Sequence, residues 1–285
     1  MKLGPGTFAS TDRLVMAIVN RTPDSFFDRG ATYAEEAAMD RVHQVVAEGA
    51  EIVDIGGVKA APGDEVSVAE EIRRTAPFVA RVREAHPHLV ISVDTWRHEV
   101  GREVCAAGAD LLNDAWGGFD PRLAEVAAEH DAALVCTHAG GLSPRTRPHR
   151  IVYDDVVSEV LAGVTALAER AAALGVARDR ILIDPGHDFG KNTWHSLEIT
   201  RRLDELVATG WPVLVSVSNK DFVGESLDLP VSERLPGTLA ALAVCAWHGA
   251  SVYRVHAVRE TRQIVDMVAT IRADRLPART VRGLA

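Results

Sequence analysis

Short apolar runs rich in β-branched residues alternate with longer segments of helical spacing along almost the whole chain. The runs lie at residues 13–20, 51–57, 89–95, 111–115, 132–138, 181–186, 212–218 and 252–256. Runs that are apolar along their whole length are typical of parallel strands that helices cover on both faces. The segments between them, such as 33–49 and 154–174, carry apolar residues at three- and four-residue steps, which indicates amphipathic helices.

Eight strand–helix units within about 260 residues predict an α/β fold, the (β/α)8 TIM barrel. A doubly wound open sheet is the main alternative, but it usually has fewer strands, and its G-x-G-x-x-G turn is missing here. No linker or change of composition divides the chain. We therefore expect one domain over residues 1–285, with the barrel at about 13–275. Residues 276–285 are expected to be a flexible, solvated tail, with a docking arm as the alternative.

The composition narrows the class of function. Hydrophobic residues make up 47% of the chain, which excludes a mainly disordered protein, and the formal net charge of −9 disfavours a general nucleic-acid binder. Cys105, Cys136 and Cys245 are widely spaced, which favours reduced thiols and a cytoplasmic location. The first residues lack an apolar core, so we do not expect a signal peptide, and no apolar run is long enough to span a membrane.

Polar side chains stand at the carboxyl end of every predicted strand. They are Asn20, Asp54, Asp94, Asn113, His138, Asp184, Ser218 with Lys220, and Arg254 with His256. One such residue can simply bond to local backbone, and that reading suits Asp54 or His138 taken alone. It does not suit the whole set. Because the carboxyl ends of the strands build the site in a barrel of this type, we predict that these groups line one pocket.

The chemistry of these groups indicates the kind of ligand. The carboxylates and the carboxamide of Asp94, Asn113 and Asp184 can satisfy the N–H edges of a flat, nitrogen-rich ring. The positive charge of Lys220, Arg254 and His256 suits an anionic leaving group. Asn20, with nearby loop carboxylates, could hold Mg²⁺ that shares its ligands with substrate phosphates.

Two further sets of residues are candidate ligand groups. His187, Asp188 and His195 suggest zinc, but their spacing matches no zinc pattern. We interpret His195 as a surface helix residue, whereas His187 and Asp188 fit either a structural or a functional role. Three tryptophans are interpreted as packing residues, namely Trp116, Trp194 and Trp247.

Seven motifs in order resemble the dihydropteroate synthase family. They are MAIVNRTPDSFFDRG (16–30), VDIGG (53–57), SVDTW (92–96), NDAWGG (113–118), DPGHDFGK (184–191), SNKDFVG (218–224) and RVH (254–256). The resemblance covers residues 14 to 275 and implies a TIM barrel. It also implies condensation of 6-hydroxymethyl-dihydropterin diphosphate with p-aminobenzoate in folate synthesis. A homodimer through late helices is implied as well, and the apolar segment 234–249 could serve as its interface.

The resemblance also implies roles for individual residues. The pterin pocket would be Asp94, Asn113, Asp184 and Lys220. The diphosphate would meet Asn20 through Mg²⁺, together with Arg254 and His256. The first loop would bring Asp24, Phe26 and Asp28, of which Asp28 would act with Asp94 and Lys220 in catalysis. The p-aminobenzoate side would be formed by Phe26, Phe189 and Ser218.

The sequence departs from the family pattern in three loops. The family's second loop reads Gly-Gly-Glu-Ser-Thr-Arg-Pro-Gly, whereas residues 56–63 read GGVKAAPG, so that Ala60-Ala61 replaces Thr-Arg. The family's Ser-Arg-Lys is Ser218-Asn219-Lys220, and Phe-Gly is replaced by His187-Asp188. The acidic Asp221 follows, where a carboxylate would repel p-aminobenzoate.

This clustering of departures resembles the divergent second synthase copies of actinobacteria. Two functions follow as hypotheses. The first is an ordinary synthase, and the second is a paralogue that binds pterin but is slow or inactive with p-aminobenzoate, or uses another amine. A methyltetrahydrofolate-type methyltransferase is a weaker third, against which the TPDSF loop counts.

Overall fold

The computed structural model describes residues 1–22, 34–146 and 151–282. Each of the eight predicted runs contains a strand. These strands are β3 (Leu14–Asn20), β4 (Ile52–Gly56), β5 (Val90–Asp94), β6 (Leu111–Asp114), β7 (Ala133–Thr137), β8 (Ile181–Asp184), β9 (Leu214–Val215) and β10 (Val252–Val255). The strand predictions are therefore confirmed.

The eight strands form one parallel sheet that curls into a barrel. Their order is β8-β7-β6-β5-β4-β3-β10-β9, and each hydrogen-bonded pair within it is parallel. A parallel bridge between Ile183 and Val213 joins the two ends of this order. The predicted TIM barrel is confirmed, and the open-sheet alternative is wrong.

Helices follow the strands as the apolar spacing predicts. They are α1 (Glu35–Ala47), α2 (Val68–Ala85), α3 (His98–Ala106), α4 (Arg122–Glu129), α5 (Val156–Ala173), α6 (Thr193–Arg201), α7 (Leu203–Val207), α8 (Asp221–Leu227), α9 (Leu235–His248) and α10 (Val258–Ile271). The Ser67 hydroxyl accepts a hydrogen bond from the Glu70 N–H at 3.2 Å, which satisfies a backbone donor that the first turn of α2 leaves open.

Two apolar layers hold the barrel together. One lies between the sheet and the helices, and the other fills the barrel interior with one side chain from most strands, among them Met16, Ile52 and Leu182. A short antiparallel hairpin of β1 (Lys2–Leu3) and β2 (Gly6–Thr7) adds fully buried Leu3 to the interior layer. The sequence did not predict this hairpin, because two-residue strands are too short to show a period of two.

The tryptophans divide into two groups. Trp116 is buried in an apolar cluster, as predicted, but Trp194 and Trp247 are 77% and 54% exposed, so the packing interpretation is wrong for them within this chain. Each of these two lies on the outer side of its helix, where no second layer covers it. None of the helices in the described ranges is both long enough and apolar enough to cross a bilayer.

Candidate functional site

The register of the sheet aligns residues at or beside the carboxyl ends of four neighbouring strands. They lie at the barrel opening formed by the carboxyl ends of the strands, which is called the mouth below. Asn20 pairs with Gly56, Gly56 with Asp94, and Asp94 with Asn113. Side chains at level positions of adjacent strands are close enough to interact. The sequence prediction that Asn20, Asp94 and Asn113 stand at one edge is confirmed by this pairing.

Arg254 at the end of β10 joins two carboxylates from neighbouring strands. Its Nε donates to Asp54 Oδ2 at 2.6 Å, and its Nη2 donates to Asp94 Oδ2 at 3.0 Å. Asp54 is fully buried and also accepts from Ser92 Oγ at 2.5 Å and from Asn113 Nδ2 at 3.2 Å. Asp54 therefore bonds to side chains from three other strands. Its position in the sequence, taken alone, had also allowed a bond to local backbone. Asp54 lies at the centre of a hydrogen-bond network that joins the predicted pterin residues Asp94 and Asn113 to the predicted diphosphate residue Arg254.

Burial shifts the pKa values of the groups at this mouth. It raises the pKa of the Asp94 carboxyl to about 7, which the neighbouring Arg254 guanidinium only partly opposes. Burial also raises the pKa of Asp184, with Lys220 as the main opposing charge, and lowers the pKa of Lys220. Several perturbed titratable groups in one place are typical of functional sites.

Asp184, Lys220 and Phe189 form the opposite wall of the mouth. Asp184 Oδ1 accepts from the Gly186 N–H at 2.7 Å, and Lys220 Nζ donates to the His187 carbonyl. Lys220 Nζ also lies 4.8 Å from the centroid of the Phe189 ring, and Trp116 meets the same ring edge-on at 5.1 Å. An aromatic ring beside a half-buried ammonium offers a flat surface for a planar ligand.

Ser218 and His256 are brought together from different strands. Ser218 Oγ lies 2.9 Å from His256 Nδ1, and it accepts from the His256 backbone N–H at 3.3 Å. Both side chains are buried. The sequence placed Ser218 on the acceptor side and His256 on the diphosphate side, and the structure makes them direct neighbours.

Lys191 is a central residue of the site that the sequence reasoning missed. Its buried Nζ donates to the carbonyls of His138, Gly186 and Phe189 at 2.8 to 3.0 Å, and it lies 2.9 Å from His138 Nδ1. Burial lowers the pKa of Lys191 to about 7. Gly186 lets the loops approach this closely, because a Cβ there would lie 2.2 Å from the His138 carbonyl oxygen.

His187 and Asp188, left open by the sequence, both have structural roles. His187 is fully buried, with Nε2 3.1 Å from Thr200 Oγ1. Asp188 Oδ2 accepts from the backbone N–H groups of Asp221 and Phe222 at 2.7 and 3.3 Å. Asp188 therefore fixes the first turn of α8 from the β8–α6 loop. It does so from a left-handed φ of 65°, which the family's glycine adopts without strain.

The loop between β9 and α8 carries the altered acceptor-side residues. Asn219 has a φ of 56°, a conformation that asparagine tolerates better than arginine does, and its N–H donates to Thr238 Oγ1 at 3.0 Å. Arg234 Nη1 donates to the Asn219 carbonyl at 3.0 Å and to Asp221 Oδ1 at 3.1 Å. A Cβ at Gly224 would lie 2.3 Å from the Arg234 guanidinium carbon, so this glycine makes room for the arginine. A guanidinium thus lies at the acceptor end, but a carboxylate of the same chain balances it.

The described residues offer limited support for a metal site. Among the His, Cys, Asp and Glu side chains of the described residues, His98, Glu99 and Asp120 lie close enough together to share an ion. The Asp120 oxygens already accept from the backbone N–H of His98 at 3.1 Å and of Arg122 at 3.2 Å, which explains them as a helix cap. Asn20 contributes one carboxamide oxygen at the mouth. A single oxygen ligand suits Mg²⁺ only where water and substrate phosphates supply the other ligands.

Three predicted residues of the first loop lie outside the described ranges. They are Asp24, Phe26 and Asp28. His195, predicted as a surface helix residue, lies on α6, where its N–H donates to Asn192 Oδ1 at 2.9 Å.

The fold and the mouth together define a (β/α)8 barrel with polar groups gathered at the carboxyl ends of its strands, where barrels of this architecture bind ligands. A family model described as pterin binding enzyme matches residues 16–256. Over 281 residues, 97% of each chain, the sequence is 59% identical to the inactive dihydropteroate synthase 2 of Mycobacterium leprae. It is 38% identical over 261 residues to the dihydropteroate synthase of Escherichia coli K12, covering 91% of this chain and 92% of that one.

Solved structures agree with the sequence comparisons. The dihydropteroate synthase of Yersinia pestis, crystallised as a sulfonamide drug complex, superimposes with a TM-score of 0.91 at 33% identity and covers 96% of this chain and 99% of its own. The chain therefore belongs to the dihydropteroate synthase family of pterin-binding enzymes.

Proposed function

We propose that this protein binds a pterin diphosphate at the barrel mouth and condenses it with p-aminobenzoate slowly or not at all. One observation carries the proposal: Arg254 holds Asp54 and Asp94 in place on the pterin side, whereas the Arg234 guanidinium at the acceptor end is balanced by Asp221. A substrate carboxylate that approaches Arg234 therefore meets a neutral pair instead of a cation.

The pterin side supports binding of a flat heterocycle. Asp94 and Asp184 are acceptors when ionised, and Asn113 offers both a donor and an acceptor. These are the partners that the N–H and NH₂ edges of a pterin need. The Phe189 ring and the Lys220 ammonium lie beside them, close enough to cover one face of a ring.

The diphosphate end is proposed to use Asn20, Arg254 and His256. When bound, Mg²⁺ would neutralise charge on the departing diphosphate, and Asn20 is the residue that would hold it. Arg254 is already bonded to Asp54 and Asp94, so its guanidinium is held in place before any ligand arrives. Such preorganisation favours stabilisation of a leaving group.

An active synthase is the second candidate. Its support is the 38% identity to the Escherichia coli enzyme over nearly the full chain. The relative at 59% identity carries the word inactive in its name, which favours the slow or inactive alternative. A different amine acceptor without a carboxylate is compatible with the same site.

The deciding experiment combines binding with turnover. We expect calorimetry to show binding of 6-hydroxymethyl-dihydropterin diphosphate, and a coupled assay of diphosphate release to show little stimulation by p-aminobenzoate. The Escherichia coli enzyme run in parallel is the positive control. Turnover at ordinary enzyme rates of about 1 s⁻¹ or more would establish an active synthase instead. An absence of pterin diphosphate binding would refute the proposal altogether.

We further propose a homodimer in the cytoplasm. Four large apolar side chains, Val244 and Trp247 on α9 and Met267 and Ile271 on α10, are 41% to 59% exposed on two adjacent helices. A second copy of the chain would cover this face. Light scattering should then give twice 30.7 kDa, and Trp247→Asp should reduce it to 30.7 kDa. The cytoplasmic location is supported by three cysteines that form no disulfide.

A further inference from the structure

Arg145 ties together two loops that lie on either side of the mouth. Its Nε donates to the Ala61 carbonyl at 3.3 Å, and its Nη1 donates to the Asp64 carbonyl at 2.6 Å. Arg145 belongs to the loop between β7 and α5, whereas Ala61 and Asp64 belong to the loop between β4 and α2 (residues 57–67). Strands β5 and β6 stand between β4 and β7 in the sheet. The contact therefore reaches across the ends of the two strands that carry Asp94 and Asn113.

Apolar packing supports the same placement of the β4–α2 loop. Val58 is buried in a cluster with Trp96, Trp116 and Ala139, and Phe189 packs against this cluster. These four partners come from the loops after β5, β6, β7 and β8. The β4–α2 loop is thus held across the mouth by Val58 near its start and by Arg145 near its middle.

No carboxylate within the described residues balances the charge of Arg145. It forms no ion pair there, and its hydrogen bonds are to two backbone carbonyls. The arginines already described differ in this respect, because Arg254 is paired with Asp54 and Asp94, and Arg234 with Asp221. A guanidinium has five N–H donors, so two single bonds leave its Nη2 edge able to take an anionic ligand.

The backbone of Arg145 also adopts an uncommon conformation. Its φ is 63°, in the left-handed region that residues with a side chain of this size rarely adopt. Arg145 is half-buried in this conformation. The strained backbone directs its side chain toward a loop that has lost the Thr-Arg pair of the family pattern and reads Ala60-Ala61 instead.

We propose that Arg145, held against the backbone of the β4–α2 loop, supplies a cationic group to the diphosphate of the pterin substrate. This inference rests on the proposed function, in which a pterin diphosphate occupies the mouth. The guanidinium, delivered from the β7–α5 loop, stands at the Ala61 backbone, the position at which the family pattern has an arginine. The phosphate end thereby keeps a cation of its own, whereas the acceptor end has one that Asp221 neutralises.

Calorimetry with two ligands tests this assignment. The ligands are 6-hydroxymethyl-dihydropterin diphosphate, with Mg²⁺, and the corresponding uncharged alcohol. Arg145→Met should weaken binding of the diphosphate by about ten- to hundredfold, the range expected for one charge-assisted contact. Binding of the alcohol should change by less than about threefold. Arg102→Met, which removes an exposed arginine in the middle of α3 that pairs with Glu129, is the matched control and should leave both affinities unchanged.

A second variant separates charge from loop structure. Arg145→Gln keeps N–H donors for the Ala61 and Asp64 carbonyls but removes the charge. It should bind the alcohol normally and the diphosphate weakly, whereas Arg145→Lys should retain more of the diphosphate affinity than Arg145→Gln. Equal loss for both ligands would show that Arg145 only shapes the loop and would overturn the assignment. Unchanged diphosphate binding by Arg145→Met would overturn it as well, with the proposed function intact. A wild-type protein that binds neither ligand would instead refute the proposed function and this inference together.

Discussion

Replacing Asp221 with asparagine should convert the acceptor end from a neutral pair into a cationic site. In the wild type, Arg234 Nη1 donates to Asp221 Oδ1 at 3.1 Å, with Asp221 58% and Arg234 13% exposed. Asparagine has nearly the same shape and keeps an oxygen for that hydrogen bond, but it carries no charge. We therefore expect Asp221→Asn to raise the affinity for p-aminobenzoate in the presence of pterin and diphosphate.

The magnitude follows from two effects. Removing one of two carboxylates about 4 Å apart relieves about 1 kcal/mol of repulsion at the dielectric constant of water. The Arg234 guanidinium then becomes a partner for the substrate carboxylate, which contributes about 1 kcal/mol at a partly exposed site. Together these predict a gain of about five- to thirtyfold in affinity. The loss of a negative charge from the first turn of α8 should destabilise the fold by about 1 kcal/mol or less.

Titration calorimetry on a double-mutant cycle is the measurement. The single variants are Asp221→Asn and Arg234→Met, and the combined variant completes the cycle. The gain should disappear in the double variant, because it depends on the arginine. Binding of the neutral p-aminobenzamide should be the same in wild type and Asp221→Asn. If Asp221→Asn binds p-aminobenzoate no better than wild type, or if the gain survives the loss of Arg234, the charge argument for the acceptor end is wrong.

Four further results are expected. Asp184→Ala should weaken pterin binding by about 1–3 kcal/mol, since it leaves a ring N–H without its acceptor, and calorimetry against Asp179→Ala as a surface control would show this. Because burial raises the pKa of Asp94 to about 7, this carboxyl should be increasingly protonated below that pH, and affinity for the uncharged pterin alcohol should fall with it. The same raised pKa stabilises the fold below pH 4, and that contribution should be lost as the pH rises through about 7, a trend that Asp94→Asn should remove from urea midpoints. Finally, Lys191→Met should lower the free energy of unfolding by about 3 kcal/mol or more, because it removes a buried ammonium that three carbonyls share as their donor. A wild-type urea midpoint in that variant would contradict the role given to Lys191.

The sequence by itself determined the barrel and the edge at which its site lies. Eight apolar runs at regular spacing fix the strands, because each must be covered on both faces, and each run proved to contain one. The sequence could place Asn20, Asp94 and Asn113 at the same edge because each stands at or near the carboxyl end of a strand in one parallel sheet. The order of motifs likewise indicated the family, which the comparisons confirm.

Only the tertiary structure decided which of these groups bond to one another. Arg254 and Asp54 are 200 residues apart, and Arg145 and Ala61 are 84 apart. No local spacing encodes such pairs, because they form when β10 closes against β3 and when separate loops fold over one mouth. The two altered loops show the same division. The sequence showed that positions 61 and 219 lack the arginines of the family pattern. It could not show that Arg145 and Arg234 reach those two backbones from other elements, or that Asp221 balances the charge of Arg234.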